Sequence, residues 1–264
     1  MAWQPKHFRR FERSFENSTG PARVQTDAGP AYIKALGNAE GPHALACEWV
    51  ATNLARQLGL RTFDFALLDL VEGDEVPLGH GRQAQPGPAF ATRAERGEPW
   101  SGRPSELEAI TNKGHLSRQI VFDSWVRNRD RYVPGRRCHV DNVFLSSATT
   151  RGVARELVTM DHTHCLSDNQ QLTPRLATLA MVRDETVYGA FPAFGAFWSV
   201  EEVKAIQGCL AVIDVERLRA LAASIPRQWD VDGETRAALV RFLTDRAVWL
   251  AQRPSAVFRP VESA

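Results

Sequence analysis

The feature that most narrows the fold is a change of periodicity near residue 100. Before it, short β-compatible runs surround one helix; after it, most patterned stretches have helical spacing. Ala22 to Thr26 and Ala31 to Leu36 flank the turn Asp27-Ala28-Gly29, which reads as a hairpin. Ala46, Trp49, Val50, Leu54 and Leu58 recur at helical spacing, so Pro42 to Leu58 is expected to form a helix that Gly59 stops. Phe63 to Val71 reads as a further strand, and residues 72–89, rich in Gly and Pro, as a loop. Past the break, Ser105 with Glu108 and Ser199 with Glu202 have capping-box spacing. Leu116 to Asn128, Asp214 to Ser224 and Glu234 to Gln252 read as helices, and Pro254 ends the last. Val140 to Leu145 and Glu156 to Met160 read as short strands. The expectation is an α+β chain of two lobes, a small β-rich one over residues 1–93 and a larger, mostly helical one over 94–264.

Charge and composition remove several classes of function. The formal net charge is +1, so no global field favours nucleic acid or an anionic membrane, and no direct nucleic-acid binding is predicted. No apolar run approaches the roughly 18 residues that a membrane span needs, and Met1 to Gly20 is polar and basic. The cytoplasm is the location expected by default. Cys47, Cys138, Cys165 and Cys209 are scattered with no CxxC spacing, which argues against a disulfide framework or a zinc ribbon.

Five polar residues carry the chemistry. Lys34 interrupts an apolar strand, and Glu48 follows 14 positions later on the expected helix, at the margin of its apolar face. A strand lysine held by a helix glutamate is the arrangement that kinases use on ATP phosphates. Asp130 leaves the apolar helix between arginines, where a carboxylate can orient a hydroxyl. Asn142 offers an amide oxygen, a hard ligand for Mg²⁺. Asp161 ends a β-run, which aims its carboxylate rigidly. Lys, Glu, Asp, Asn and Asp thus occur in the order that phosphoryl transfer requires, a reaction that needs mainly positioning and charge neutralisation.

The stretch YIKALGNAEGPHALACEWVATNLARQLGL (Tyr32 to Leu60) resembles HipA-like kinases, as do FDSWVRNRDR (Phe122 to Arg131), NVFL and MDHTH. GPAFATR (Gly87 to Arg93) is similar to the family's segment between lobes. The resemblance implies a two-lobed protein-kinase-like fold and a Mg-ATP-dependent serine/threonine kinase. It also implies that Lys34 binds phosphates, Glu48 anchors it, Asp130 is the catalytic base, and Asn142 and Asp161 bind Mg²⁺. Ser18, Thr19 and Gly20 would form the turn over the phosphates, with Phe90 and Arg93 near adenine. The acceptor would be a hydroxyl of a protein or small molecule, and an antitoxin-like partner is a further family-led expectation. This sequence departs from the usual pattern in three places: Asp130 and Asn142 are 12 residues apart, with Tyr132 to His139 as an insertion; Thr163 stands where many kinases have glycine after the metal aspartate; and the phosphate-covering turn holds a single glycine.

Other readings share these residues. A nucleotide-binding pseudokinase would keep the fold without turnover. A metal-dependent hydrolase would use His162 and His164, because His-x-His on a strand presents both rings on one face. The basic stretch Arg129, Arg131, Arg136 and Arg137 offers cations to an acidic or phosphorylated substrate.

Overall fold

The computed structural model describes residues 3–147, 155–167 and 171–261. The chain opens with strand β1 (Phe8–Ser14), then β2 (Ala22–Thr26) and β3 (Gly29–Lys34), followed by helix α1 (Pro42–Gln57) and β4 (Phe65–Leu70). A short hairpin, β5 (Pro77–Leu78) and β6 (Arg82–Gln83), precedes β7 (Gly87–Arg93). Five of these strands form one antiparallel sheet in the order β1-β2-β3-β7-β4.

Alternation along β2 and β3 decides how this sheet is covered. Ala22, Val24, Ala31 and Ile33 are buried on one face and join Leu68, Ala89 and Ala91. The segment around the β5–β6 hairpin closes that face with Val76, Leu78 and Ala84, and Trp3, Phe8 and Phe11 pack at its edge. Lys34, Phe90 and Leu67 stand directly across from one another and so share the opposite face. There Phe65 and Phe90 meet Leu45, Val50 and Leu54 of α1 in a core that continues into the helical half.

That half begins with β8 (Gly97–Pro99), α2 (Pro104–Glu108) and α3 (Gly114–Val126). The minimal hairpin β9 (Tyr132–Val133) and β10 (Arg137–Cys138) follows, then β11 (Val143–Ser146) and β12 (Glu156–Thr159). Strands β12, β11 and β8 make a second small sheet. Helices α4 (Leu179–Val182), α5 (Val200–Ala211), α6 (Val215–Ala223) and α7 (Gly233–Ala251) complete the lobe. Helix α3 is buried almost throughout, with Leu116, Ile120, Phe122 and Trp125 inaccessible. The Trp125 indole donates to the Leu243 carbonyl at 2.9 Å, tying α3 to α7. From α7, the buried Arg246 donates to the carbonyls of Ser124 at 2.7 Å and Val182 at 2.8 Å. Burial pushes its guanidinium down to about 10. Between the lobes, Trp229 donates its indole N–H to the Pro88 carbonyl at 2.9 Å.

The two-lobed α+β reading therefore holds, with local corrections. β1 lies outside the expected elements, because its charged pattern FRRFERS has no buried face to announce it. The 72–89 loop contains the β5–β6 hairpin and the start of β7. Ser105 does not cap a helix: α2 starts at Pro104 after Arg103, and Glu106, not Glu108, turns back to accept from the Ser101 amide at 2.9 Å. At Ser199 half of the expected box is present: its hydroxyl accepts from the Glu202 amide at 3.3 Å, while its own amide donates to Ser117 Oγ at 2.9 Å and the Glu202 carboxylate pairs with Arg118. Val140–Asn142 is a 3-10 turn, and the strand begins one residue later.

Candidate active site

Strand β3 points Lys34 toward α1 because its neighbours Ala31 and Ile33 occupy the other face. Its ammonium meets Glu48 Oε2 at 2.5 Å and Asp161 Oδ1 at 2.9 Å. Burial alone would lower the lysine, but the Asp161 and Glu48 carboxylates outweigh it and hold the amine well above its ordinary range. Burial would likewise raise Glu48, and the Lys34 charge instead drives it far down. Glu48 has a second duty, accepting from the backbone amide of His162 at 3.1 Å. One carboxylate on α1 thus fixes both the strand lysine and the segment that carries Asp161.

Asp161 itself is left-handed, with φ 57°. That turn sends the next two side chains in different directions. His162 is fully buried, its Nδ1 3.1 Å from Thr52 Oγ1 and its ring edge-on to Phe122. Thr163 donates to Asp161 Oδ1 at 3.2 Å. His164 faces the opposite way, into a cleft of about 1660 Å³ lined also by Ser18, Glu40, Asp130, Asn142 and Asp161. The two histidines do not converge, and among the described residues no three His, Cys, Asp or Glu side chains are grouped to hold a metal ion. A His-x-His zinc site is thereby left without its geometry.

The segment after α3 is held by buried charge. Arg127 ends the helix in a left-handed conformation. Arg131 is inaccessible and donates to Asp123 Oδ2 at 2.8 Å, to the Met160 carbonyl at 2.8 Å, and to the Asn142 carbonyl. It therefore pins Asp130, Asn142 and Asp161 to one another and is not available to a substrate, which corrects its place in the basic stretch. Asp123 also accepts from Asn128 at 3.0 Å. Gly189 is required beside it: at φ +72°, a Cβ there would lie 2.3 Å from Asp123 Oδ2. Asp123 is visible in the sequence as a carboxylate within an apolar helix, but its partner eight residues later is not.

Asn142 donates from Nδ2 to Asp130 Oδ2 at 3.2 Å, which leaves its amide oxygen for another partner. Asp161 and Asn142 both line the cleft and offer hard oxygen donors, a set that fits Mg²⁺. The insertion of residues 132–139 becomes the β9–β10 hairpin, whose Tyr132, Val133 and Arg136 form part of the cleft wall.

Ser18, Thr19 and Gly20 lie in the connection between β1 and β2. Ser18 is exposed on the cleft, whereas Thr19 is buried. Gly20 has φ +53° and its carbonyl accepts from the Gly79 amide at 3.2 Å. Phe90 is buried against Phe65, ring centroids 5.9 Å apart, and Arg93 is exposed with Asp64 at 3.6 Å. Neither is among the residues lining the large cleft. Glu40 and His164 are the additions that the geometry makes; nothing in the spacing of Glu40 singles it out.

A five-stranded sheet with one helix, joined through a lysine–glutamate–aspartate cluster to a mostly helical lobe, defines the two-lobed kinase class of fold. The chain belongs to the HipA-like kinase family, whose family model matches residues 10–254. Among solved structures it is similar to the proinflammatory kinase CtkA of Helicobacter pylori, with TM-score 0.60 and 12% identity, covering 92% of this chain and 94% of that one. At that identity the likeness speaks for the fold. No curated protein sequence matches the chain.

Proposed function

We propose that this HipA-like kinase is a Mg-ATP-dependent phosphotransferase that moves the γ-phosphate to a hydroxyl of a protein or small molecule. The observation that carries the reading is the bridge from Lys34 to Glu48 and Asp161 at 2.5 and 2.9 Å. It brings strand, helix and aspartate-bearing turn to one point, as a phosphate-binding lysine requires. The reading divides the chain into a nucleotide-binding lobe, 1–93, and a catalytic lobe, 94–264.

In this account Lys34 takes the α- and β-phosphates, and Ser18 faces them from the β1–β2 connection with the backbone around Thr19 and Gly20. Asn142 and Asp161 would hold Mg²⁺, which neutralises phosphate charge when bound. Asp130 accepts the proton of the acceptor hydroxyl. Phe90 and Arg93 are assigned to the adenine side, Phe90 from within the core beneath it and Arg93 from the strand end. The Asp130–Asn142 hydrogen bond supports placing the base beside the metal ligands despite the insertion between them.

The test separates the two aspartates. Asp130→Ala is expected to keep MgATP affinity and to lower kcat by about 10²–10⁴-fold. Asp161→Ala is expected to lose the Mg²⁺-dependent part of nucleotide binding. Calorimetry with and without Mg²⁺, paired with release of ADP, reads both; equal nucleotide binding by the two variants contradicts the division of roles.

A further inference from the structure

His164 lies at a junction. Its Nδ1 is 3.4 Å from Asp130 Oδ2, and its Nε2 is 2.8 Å from Glu40 Oε2 and 3.0 Å from Glu40 Oε1. Glu40 belongs to the connection between β3 and α1 and is also approached by the Ser18 hydroxyl. One imidazole therefore joins the segment bearing Asp130, the entry to α1 and, through Glu40, the β1–β2 connection. These contacts come from residues remote in sequence, and all of them line one cleft.

The cleft carries both signs of charge, Arg129, Arg136, His139 and Arg259 among its cations, and His164 touches Asp130 and Glu40 together. Asp130 shares the cleft with Glu40, Asp141 and Asp161. Carboxylates crowded in a partly dehydrated cleft repel one another and favour protonation, which would disable a base. Lys34 is engaged by Glu48 and Asp161, and Arg131 is buried against Asp123. Among the contacts of Asp130, His164 Nδ1 and Asn142 Nδ2 converge on Oδ2, and His139 Nε2 stands 3.8 Å from Oδ1.

We propose that His164 is a positioning residue of phosphoryl transfer: its imidazolium orients the Asp130 carboxylate and couples it, through Glu40, to the loop over the phosphates. The inference rests on the phosphotransferase reading above. In the step itself, the acceptor oxygen bonds to the γ-phosphorus while its proton passes to Asp130. The bond from that phosphorus to the bridging oxygen breaks, and ADP leaves with the electron pair. His164 gives up no proton in this step. The hydrogen bonds to Asp130 and Glu40 raise its imidazole to about 10, so it stays charged throughout the neutral range.

The experiment compares wild type, His164→Gln and His164→Lys in MgATP, with water as the acceptor and ADP release as the readout. Calorimetry gives the MgATP affinity of each. Glutamine keeps a hydrogen-bonding side chain without the charge, and lysine restores the charge. The expected result is a fall in kcat of about 10- to 100-fold for His164→Gln with affinity within twofold, and partial recovery in His164→Lys. Titration of the His164 ring by NMR is the second measurement, and in the wild type it depends on no variant and on no turnover. It is expected near 10 in the wild type and displaced downward by Asp130→Asn and by Glu40→Gln. Wild-type kcat in His164→Gln, or a His164 ring titrating at its ordinary 6.5, overturns the inference and leaves the phosphotransferase reading standing. Absence of Mg²⁺-dependent ATP binding by the wild type overturns that reading and the inference with it.

Discussion

At the scale of single residues, the site is a set of charges that make sense only in pairs. Lys34 with Glu48 and Asp161, Arg131 with Asp123, and His164 with Asp130 and Glu40 each place a cation where burial would otherwise penalise it. Pairing has a pH signature at His164. The groups facing it are Asp130, Glu40 and the Thr163 hydroxyl. Because its imidazole rises from 6.5 to about 10, the stability it contributes is complete below about pH 6.5 and is lost as pH climbs toward 10. Urea midpoints of wild type and His164→Gln should therefore differ most at pH 6 and converge by pH 10; a difference constant across that range contradicts the pairing. Lys34, Glu48, Asp130, Asn142 and Asp161 were legible in the sequence because each interrupts or ends an element of clear periodicity. Glu40 was not, since a carboxylate in a Gly- and Asn-containing connection looks like any solvated loop residue. Arg131 was misleading for a related reason: an arginine between charged neighbours reads as surface, and only the buried Asp123 opposite it shows otherwise.

At the scale of elements, the hairpin of β2 and β3 and helix α1 followed from alternation and from 3.6-residue spacing. β1 and the β5–β6 hairpin did not, because edge strands and two-residue strands carry too few buried positions to leave a pattern. These are the elements that shape the β1–β2 connection, which the proposed function assigns to the phosphates. The hairpin tip braces it: the Gly79 amide donates to the Gly20 carbonyl, and the His80 amide donates to Glu16 Oε2 at 2.9 Å. A Cβ on Gly79 would stand 2.1 Å from the Phe15 carbonyl oxygen, a backbone atom. Gly79→Ala is thus expected to cost about 1–3 kcal/mol of stability and to weaken MgATP binding by moving residues 15–20. Gly29→Ala is the control, with φ +102° but nothing within 4 Å of the added Cβ; it is expected to lower stability and leave nucleotide affinity unchanged. Thermal melts and calorimetry on both variants check this, and equal affinity losses in the two would remove the brace from the account.

At the scale of the whole molecule, one core runs from α1 and the inner face of the sheet into the helical lobe, while a second lies on the sheet's outer face. The lobes are therefore joined by packing as well as by the Trp229–Pro88 hydrogen bond and the Lys34–Asp161 contact. The break near residue 100 announced this division, since a period-2 region cannot share a layer with a run of amphipathic helices. The long-range pairings across the cleft were beyond the reach of periodicity, which reports which face is buried and not what it meets. The account's central claim is that this cleft binds MgATP through the Lys34 cluster. Calorimetric titration of wild type and Lys34→Met with a non-hydrolysable ATP analogue in Mg²⁺ tests it most directly. The account predicts saturable, Mg²⁺-dependent binding by the wild type and at least about tenfold weaker binding by Lys34→Met, the loss of one charge-assisted phosphate contact. Equal affinity in the two proteins, or no Mg²⁺ dependence in the wild type, would contradict it.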